Sequence, residues 1–248
     1  MARLRLMRAP QKYVQGKDSL LSFYEEMKEL GNKWLFICSK SGHKMCHDKI
    51  EKSFGTADDS RCYEIFGGVS SVGEIEKMRA IVREKGINVV VGVGGGSAID
   101  TAKATAYYEK LPVVIVPTVV ATDAPCTGLS VIYNDDETFN SYLFYPKNPE
   151  AVIVDSDIIA KAPVRFLIAG MGDALGTYFE ARACQRTDAP SLEFGGITRS
   201  AMALCGLCYE TLKEYGAADK TCLRKSGCYS CSGCDYRSEC ISVRCRCR

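Results

Sequence analysis

Val89-Val90-Val91-Gly92-Val93-Gly94-Gly95-Gly96-Ser97-Ala98-Ile99-Asp100-Thr101-Ala102-Lys103 is the stretch that decides the fold. Its apolar, β-branched opening has the pattern of a strand buried on both faces, as in a parallel sheet. The run stops at three consecutive glycines and resumes as helix-forming sequence with Ser97 and Asp100 in its first turn. Lacking Cβ atoms, Gly94, Gly95 and Gly96 would let a phosphate approach the main chain. The unpaired N–H groups of the new helix would face that phosphate, and the helix dipole would favour its negative charge. A tight turn with no ligand is the alternative, but such a turn seldom needs three glycines. Gly92 and Gly94 fill the first two positions of G-x-G-x-x-G, yet Ser97 stands where the third glycine belongs. No Gly-Lys-Ser/Thr follows, so this is not a Walker loop either.

Outward from this bend, strand and helix patterns alternate. Upstream, Arg8 to Gly16 reads as an extended entry segment, Ser19 to Leu30 as a helix and Trp34 to Cys38 as a buried strand. Gly42 to Phe54 is the next helix, Cys62 to Phe66 the next strand, and Val72 to Lys85 an amphipathic helix with Val72, Ile75, Met78 and Ile81 on one stripe. Downstream, Val113-Val114-Ile115-Val116 is a wholly apolar strand between prolines. A polar turn at Asn134 to Glu137 predicts a hairpin of Leu129–Tyr133 with Ser141–Phe144, and Val152 to Asp155 is a last apolar strand. Such alternation means βαβ units around a parallel sheet. From Pro163 the pattern is helical only, over Phe166 to Arg186 and Ile197 to Tyr215. The expected organisation is α/β, a Rossmann-like domain over 1–162 with a parallel sheet, then the start of an all-helical domain over 163–219, cut short.

Composition narrows the function classes. The 248 residues are 46% hydrophobic and 25% charged, with a formal net charge of +2, values ordinary for a globular protein. That charge gives no electrostatic case for a nucleic-acid or membrane partner. No apolar run approaches the ~18 residues of a membrane span. The basic start lacks the apolar stretch of a signal peptide, which leaves the cytoplasm as the expected location. His43 and His47 lie four apart and would share a helix face, but no acid matches them, and a solvated face is the reading preferred to a metal site.

Four motifs in order resemble the iron-containing (group III) alcohol dehydrogenases, and within them the glycerol dehydrogenases, over about residues 8 to 218. They are Arg8-Ala9-Pro10 with Lys12-Tyr13 and Gln15-Gly16, the glycine bend, Pro117-Thr118 with Thr122-Asp123-Ala124-Pro125-Cys126, and Gly170-Met171-Gly172-Asp173-Ala174-Leu175. The resemblance implies a Rossmann-like domain joined to a helical one, with the active site in the cleft between. It implies oxidation of glycerol to dihydroxyacetone, with hydride passing to NAD and a zinc ion stabilising the alkoxide. Matched motif to motif, Gly94, Gly95, Gly96, Ser97 and Asp100 would hold the NAD diphosphate and its surroundings. Thr118, Thr127, Leu129 and Tyr133 would line the nicotinamide side. Asp123 would contact the substrate hydroxyls, and Asp173 would be the first zinc ligand. By residue type alone, Asp123 and Asp173 could equally close an Asx-turn or cap a helix.

Several positions depart from the family pattern. Ser97 replaces a frequent lysine or threonine, and Ala121 a frequent serine. Cys38-Ser39-Lys40 stands where the family often has an aspartate for the adenosine ribose, which leaves the choice between NAD and NADP open. The family's other two zinc ligands are histidines deep in the helical domain, whereas this chain has only His43 and His47. One carboxylate does not hold a catalytic zinc, so the site is expected to be incomplete and the chain inactive. The family forms homo-oligomers, which a chain short of most of its helical part is not expected to reproduce.

Of 14 cysteines, seven (Cys222, Cys228, Cys231, Cys234, Cys240, Cys245 and Cys247) crowd the segment 220–248 among arginines. Such spacing invites a zinc-knuckle or nucleic-acid-binding reading. Permitted codons from Lys220 onward, read one nucleotide further on, instead give a continuation containing E-A-N and L-S-G-x-G that resembles a glycerol dehydrogenase. The segment is therefore expected to be out of frame and disordered. A nucleotide-binding remnant without catalysis remains the second reading, and a cysteine-rich zinc protein the third.

Overall fold

The computed structural model describes residues 4–192 and 194–224, with side chains through residue 216. The chain runs through β1 (Lys12–Gly16), α1 (Phe23–Met27), β2 (Lys33–Cys38), α2 (Lys40–Phe54), β3 (Ser60–Ile65), α3 (Val72–Lys85) and β4 (Val89–Gly94). It continues through α4 (Gly96–Glu109), β5 (Val113–Pro117), β6 (Leu129–Tyr133), β7 (Phe139–Phe144), β8 (Ala151–Asp155), α5 (Ser156–Lys161), α6 (Val164–Thr187) and α7 (Arg199–Arg224). Six strands form one parallel sheet in the order β1-β8-β5-β4-β2-β3, and β6 and β7 pair apart as an antiparallel hairpin.

Period-two alternation divides the core between the two faces of the sheet. Trp34, Phe36 and Cys38 point to one side, where Leu20, Phe23 and Phe54 meet them in an aromatic cluster. Leu35, Ile37, Val90 and Ile115 point to the other, against Met78 of α3 and Ile99 and Ala102 of α4. Each fully buried apolar side chain here contributes roughly 1.5–3 kcal/mol. The sheet with helices on both faces is the α/β architecture expected from the alternation. Its strand order reverses between β2 and β4, and such a sheet binds ligands in the crevice outside the carboxyl ends of the strands at that point.

Three segments differ from the sequence reading, one of them the short α5, for which no element was read. The entry segment is a true edge strand, β1, paired in parallel with β8. Its alternation is weak because it closes the sheet edge, where one face is only half covered. The helix expected over Ser19 to Leu30 breaks into a 3-10 turn, the short α1 and a second 3-10 turn. At its start Ser19 donates to the Val154 carbonyl and the Leu20 N–H points at Asp155, so tertiary contacts override the local helical pattern.

Beyond α5, α6 and α7 pack against each other around Ala174, Cys205 and Cys208, with Leu204 and Leu212 at the margin. The apolar face of α7 at Leu204, Cys208 and Leu212 is thus largely covered by α6. Ile168, Leu175, Phe179 and Leu207 are exposed. The expectations for 220–248 lie outside the described residues, apart from the backbone of 220–224, which continues α7. Among the described residues no helix is long and apolar enough to cross a membrane.

Candidate functional site

The bend sits at the carboxyl end of β4, at the reversal of strand order. Gly92 is required by packing, because a Cβ there would lie 2.8 Å from the Cβ of Ala102. A Cβ on Gly94 would meet Ala98 Cβ and Ser39 Oγ, each at 2.9 Å. Gly95 and Gly96 are different, since their nearest neighbours would be Val119 Cγ2 at 3.4 Å and Thr122 Cγ2 at 3.3 Å. The first two glycines let α4 seat on the sheet, and the last two leave the approach to the main chain open. Gly95 is the N-cap of α4 and supplies no side-chain cap. The first-turn N–H groups of a 14-residue helix are therefore left for an anion. Ser97 is exposed beside them. Thr118 is buried, and its N–H donates to the Gly94 carbonyl at 3.0 Å, tying β5 to the bend.

Asp100 turns away from the bend. It is buried, accepts from the Val131 N–H at 3.1 Å and pairs with the Lys103 ammonium at 3.1 Å. Lys103 in turn donates to the carbonyls of Ala124 (3.0 Å) and Leu129. Its side chain is 1% exposed, so a charge removed from water is met by a carboxylate and backbone oxygens. This pair fastens the loop 118–128 and the hairpin across α4. Lys103 had no role in the sequence reading, although its i,i+3 spacing from Asp100 was visible.

Asp123, Thr127 and Leu129 come together on a cleft of about 900 Å³. Its far wall is Thr177, Glu180 and Cys184 of α6 with Ala201 and Cys205 of α7. Leu6, Met7 and Arg8 close it, because the Gly196 N–H donates to the Leu4 carbonyl at 2.8 Å and draws the amino-terminal arm over α7. The closing role of this arm and of Glu180 was not foreseen, since the arm is held by the single bridge between Arg5 and Gly196, which no local pattern marks. Burial pushes the Tyr145 phenol up, so this cleft residue stays neutral. Tyr133 lies further along the hairpin, its N–H donating to the Ser70 carbonyl at 3.0 Å.

Asp173 is half-buried on α6, one turn before Thr177, whose hydroxyl donates to the Asp173 carbonyl at 3.1 Å. Asp173 is not among the residues lining the cleft. His43 and His47 are far along the chain on α2, with ring centroids 4.8 Å apart and Tyr63 packed on both. They form a half-buried aromatic cluster, where a solvated face had been expected. One group of three potential metal donors occurs among the described residues, Asp18, Asp155 and Asp157. The Lys49 ammonium already sits among them, 2.8 Å from Asp18 and Asp155 and 3.5 Å from Asp157.

Comparison with known proteins agrees with this geometry. Residues 10–156 match the family described as iron-containing alcohol dehydrogenase. The chain is 46% identical over 213 residues to the glycerol dehydrogenase of Citrobacter freundii, covering 86% of this chain and 58% of that protein. The crystal structure of a probable glycerol dehydrogenase from Sinorhizobium meliloti 1021 superposes with a TM-score of 0.88 at 30% identity, covering 98% of this chain and 67% of that one. The glycerol dehydrogenase of Schizosaccharomyces pombe gives 0.88 at 31% identity, over 100% of this chain and 62% of that one. The chain thus spans about 58% of the length of the curated relatives it matches.

Proposed function

We propose, from the premise that this chain belongs to the iron-containing alcohol dehydrogenase family, that it is a polyol oxidoreductase of the glycerol dehydrogenase branch whose described residues build the dinucleotide half of the site. The observation that carries this reading is the uncapped start of α4 at Gly95, a glycine that packing does not require, beside Gly96, which has only the Thr122 methyl within reach. A bound nicotinamide dinucleotide would supply the hydride acceptor. The amides of Gly95, Gly96 and Ser97 would take the diphosphate, with Gly94 making the bend. Thr118, Thr127, Leu129 and Tyr133 would face the nicotinamide end, and Asp123 would accept a hydrogen bond from a glycerol hydroxyl in the cleft. Asp100 would act at one remove, through Lys103 and the loop that carries Asp123.

Among the described residues, the donors near the cleft do not fit a catalytic metal, which takes three protein ligands and an open position. Asp173 on α6 offers one carboxylate, and His43 and His47 lie on α2 in the sheet part of the chain, packed against Tyr63. The behaviour proposed for this chain is therefore dinucleotide binding without glycerol turnover. Its compartment is proposed to be the cytoplasm, a reading supported by the seven free cysteines among the described residues. Titration with NADH, followed by its fluorescence, tests the first part, and glycerol-driven reduction of NAD in added zinc tests the second. Saturable binding with no reduction is expected. Absence of binding refutes the dinucleotide site, and glycerol oxidation refutes the argument from missing ligands.

A further inference from the structure

The hairpin of β6 and β7 turns its two faces to different surroundings. Its inner face packs through Ile132 and Leu143 on Ile75 of α3 and Ala104 of α4. On the outer face a bulge changes the pattern. Tyr133 pairs with Phe139 while Ile132 pairs with Ser141, so Asn140 is the extra residue. Plain strand alternation would put Phe139 on the inner face, and the bulge puts it on the face of Tyr142 and Phe144 instead. The three rings form a row with centroids 5.0 Å and 6.5 Å apart, and Phe194 extends it 5.3 Å beyond Phe144. Phe139 is 54%, Tyr142 59% and Phe194 74% exposed. Phe194 is also held at a φ of 62°, a left-handed backbone that costs a bulky residue about 1–3 kcal/mol.

The cleft accounts for only part of this row. Phe144 and Phe194 line it, whereas Phe139 and Tyr142 do not. Among the described residues β7 pairs only with β6, and its sequence lacks the lysines and prolines that usually guard an exposed edge. The two ends of the row carry opposite charge. Beyond Phe139 lies the hairpin tip, with Asp135, Asp136 and Glu137 exposed. Beside Phe194 lies Arg5, which bridges Gly196 and whose guanidinium donates to the Ile197 carbonyl. Two such rows laid antiparallel about a twofold axis set ring on ring, and each acidic tip meets the other copy's Arg5 end. A parallel arrangement sets acid on acid. At roughly 200 Å² per aromatic side chain, the four rings leave about 450 Å² bare in each copy. Stacking two copies thus buries about 900 Å² of ring surface. The exposed Leu192, the tip and the arm carry the contact past the roughly 1,000 Å² that a specific interface needs.

We propose that the outer face of the β6–β7 hairpin is a self-association surface, on which a second copy of this chain docks antiparallel through Phe139, Tyr142, Phe144 and Phe194. This surface stands apart from the dinucleotide reading of the bend. The test is sedimentation of the full chain over a concentration series up to about 100 µM. A species of twice the 27.2 kDa chain mass is expected, weakening as salt is raised. Phe139→Ser/Tyr142→Ser should raise the dimer dissociation constant by at least about tenfold, with the thermal melt kept within about 2 °C. Glu137→Arg and Arg5→Glu should each weaken the dimer by about threefold, and the two together should restore it to within about twofold. Damage to the fold by either change alone would not be repaired in that way. A parent chain monomeric at about 100 µM would overturn the proposal and leave the row to residues 225–248 or to another protein. A dimer untouched by Phe139→Ser/Tyr142→Ser would also overturn it, placing the contact elsewhere, as on Ile168, Leu175 and Phe179 of α6. Absence of rescue by the paired charge reversal would overturn the antiparallel arrangement that singles out a second copy.

Discussion

Replacing Gly92 by alanine should loosen the seating of α4 on the sheet. The new methyl carbon would stand 2.8 Å from Ala102 Cβ and 3.3 Å from Ile115 Cδ1. Carbon atoms pack best at about 3.5–4.0 Å, so α4 must retreat by about 1 Å or a neighbour must leave its rotamer. Overpacking of this kind costs about 1–3 kcal/mol. For a chain of this length each kcal/mol lowers Tm by about 2–4 °C, giving a fall of about 2–12 °C. Gly95→Ala is the matched control. Its methyl would meet only Val119 at 3.4 Å, and its φ of −90° suits alanine. It should melt within about 2 °C of the parent yet lose about tenfold in NADH affinity, because the methyl occupies the phosphate's approach. Thermal melts by circular dichroism and NADH titration read the two effects. In Gly92→Ala/Ala102→Gly the 2.8 Å clash with Ala102 is removed and the tight contact to Ile115 remains, so the double mutant should be more stable than the sum of the single changes. Equal destabilisation by Gly92→Ala and Gly95→Ala would refute the division between packing glycines and ligand-facing ones.

Other perturbations separate the remaining parts. Lys103→Met leaves the buried Asp100 without its cation and should cost about 3–5 kcal/mol by urea unfolding, with proteolytic cleavage appearing in 118–128. Glu109, held by Arg83 and then Arg79, has its carboxyl below the usual range, so its stabilisation is present near neutrality and is lost as pH falls through its folded-state value. Glu109→Gln should therefore flatten the acid side of the urea-midpoint profile between pH 7 and 3 without changing the alkaline side. Phe179→Ser with Leu207→Ser should reduce light scattering of concentrated protein and binding of an apolar dye, since both side chains are exposed on the helical pair.

What was legible in the sequence follows from how local each cause is. The strand, bend and helix around Gly94 could be read because apolar runs and glycines declare themselves within a few residues. Parallel pairing followed from the alternation, and Asp123, Thr127 and Leu129 do share one cleft. The inward turn of Asp100 was not legible, because residues 124 and 129–131, which it and Lys103 hold, lie more than 20 positions away in the chain. The edge strand at Lys12–Gly16 was hidden for a similar reason, as its partner is Ala151–Asp155. The covered face of α7 depended on which side α6 approached, which periodicity alone leaves undetermined.

The Lys103 ammonium makes the loop bearing Asp123 and the helix behind the glycine bend one mechanical piece. Neither can swing without surrendering hydrogen bonds to a charged donor, each worth about 1.5–3 kcal/mol. On the proposed reading, a ligand on the amides of the bend would steady the loop that carries Asp123, and a ligand held by that loop would steady the amides in equal measure.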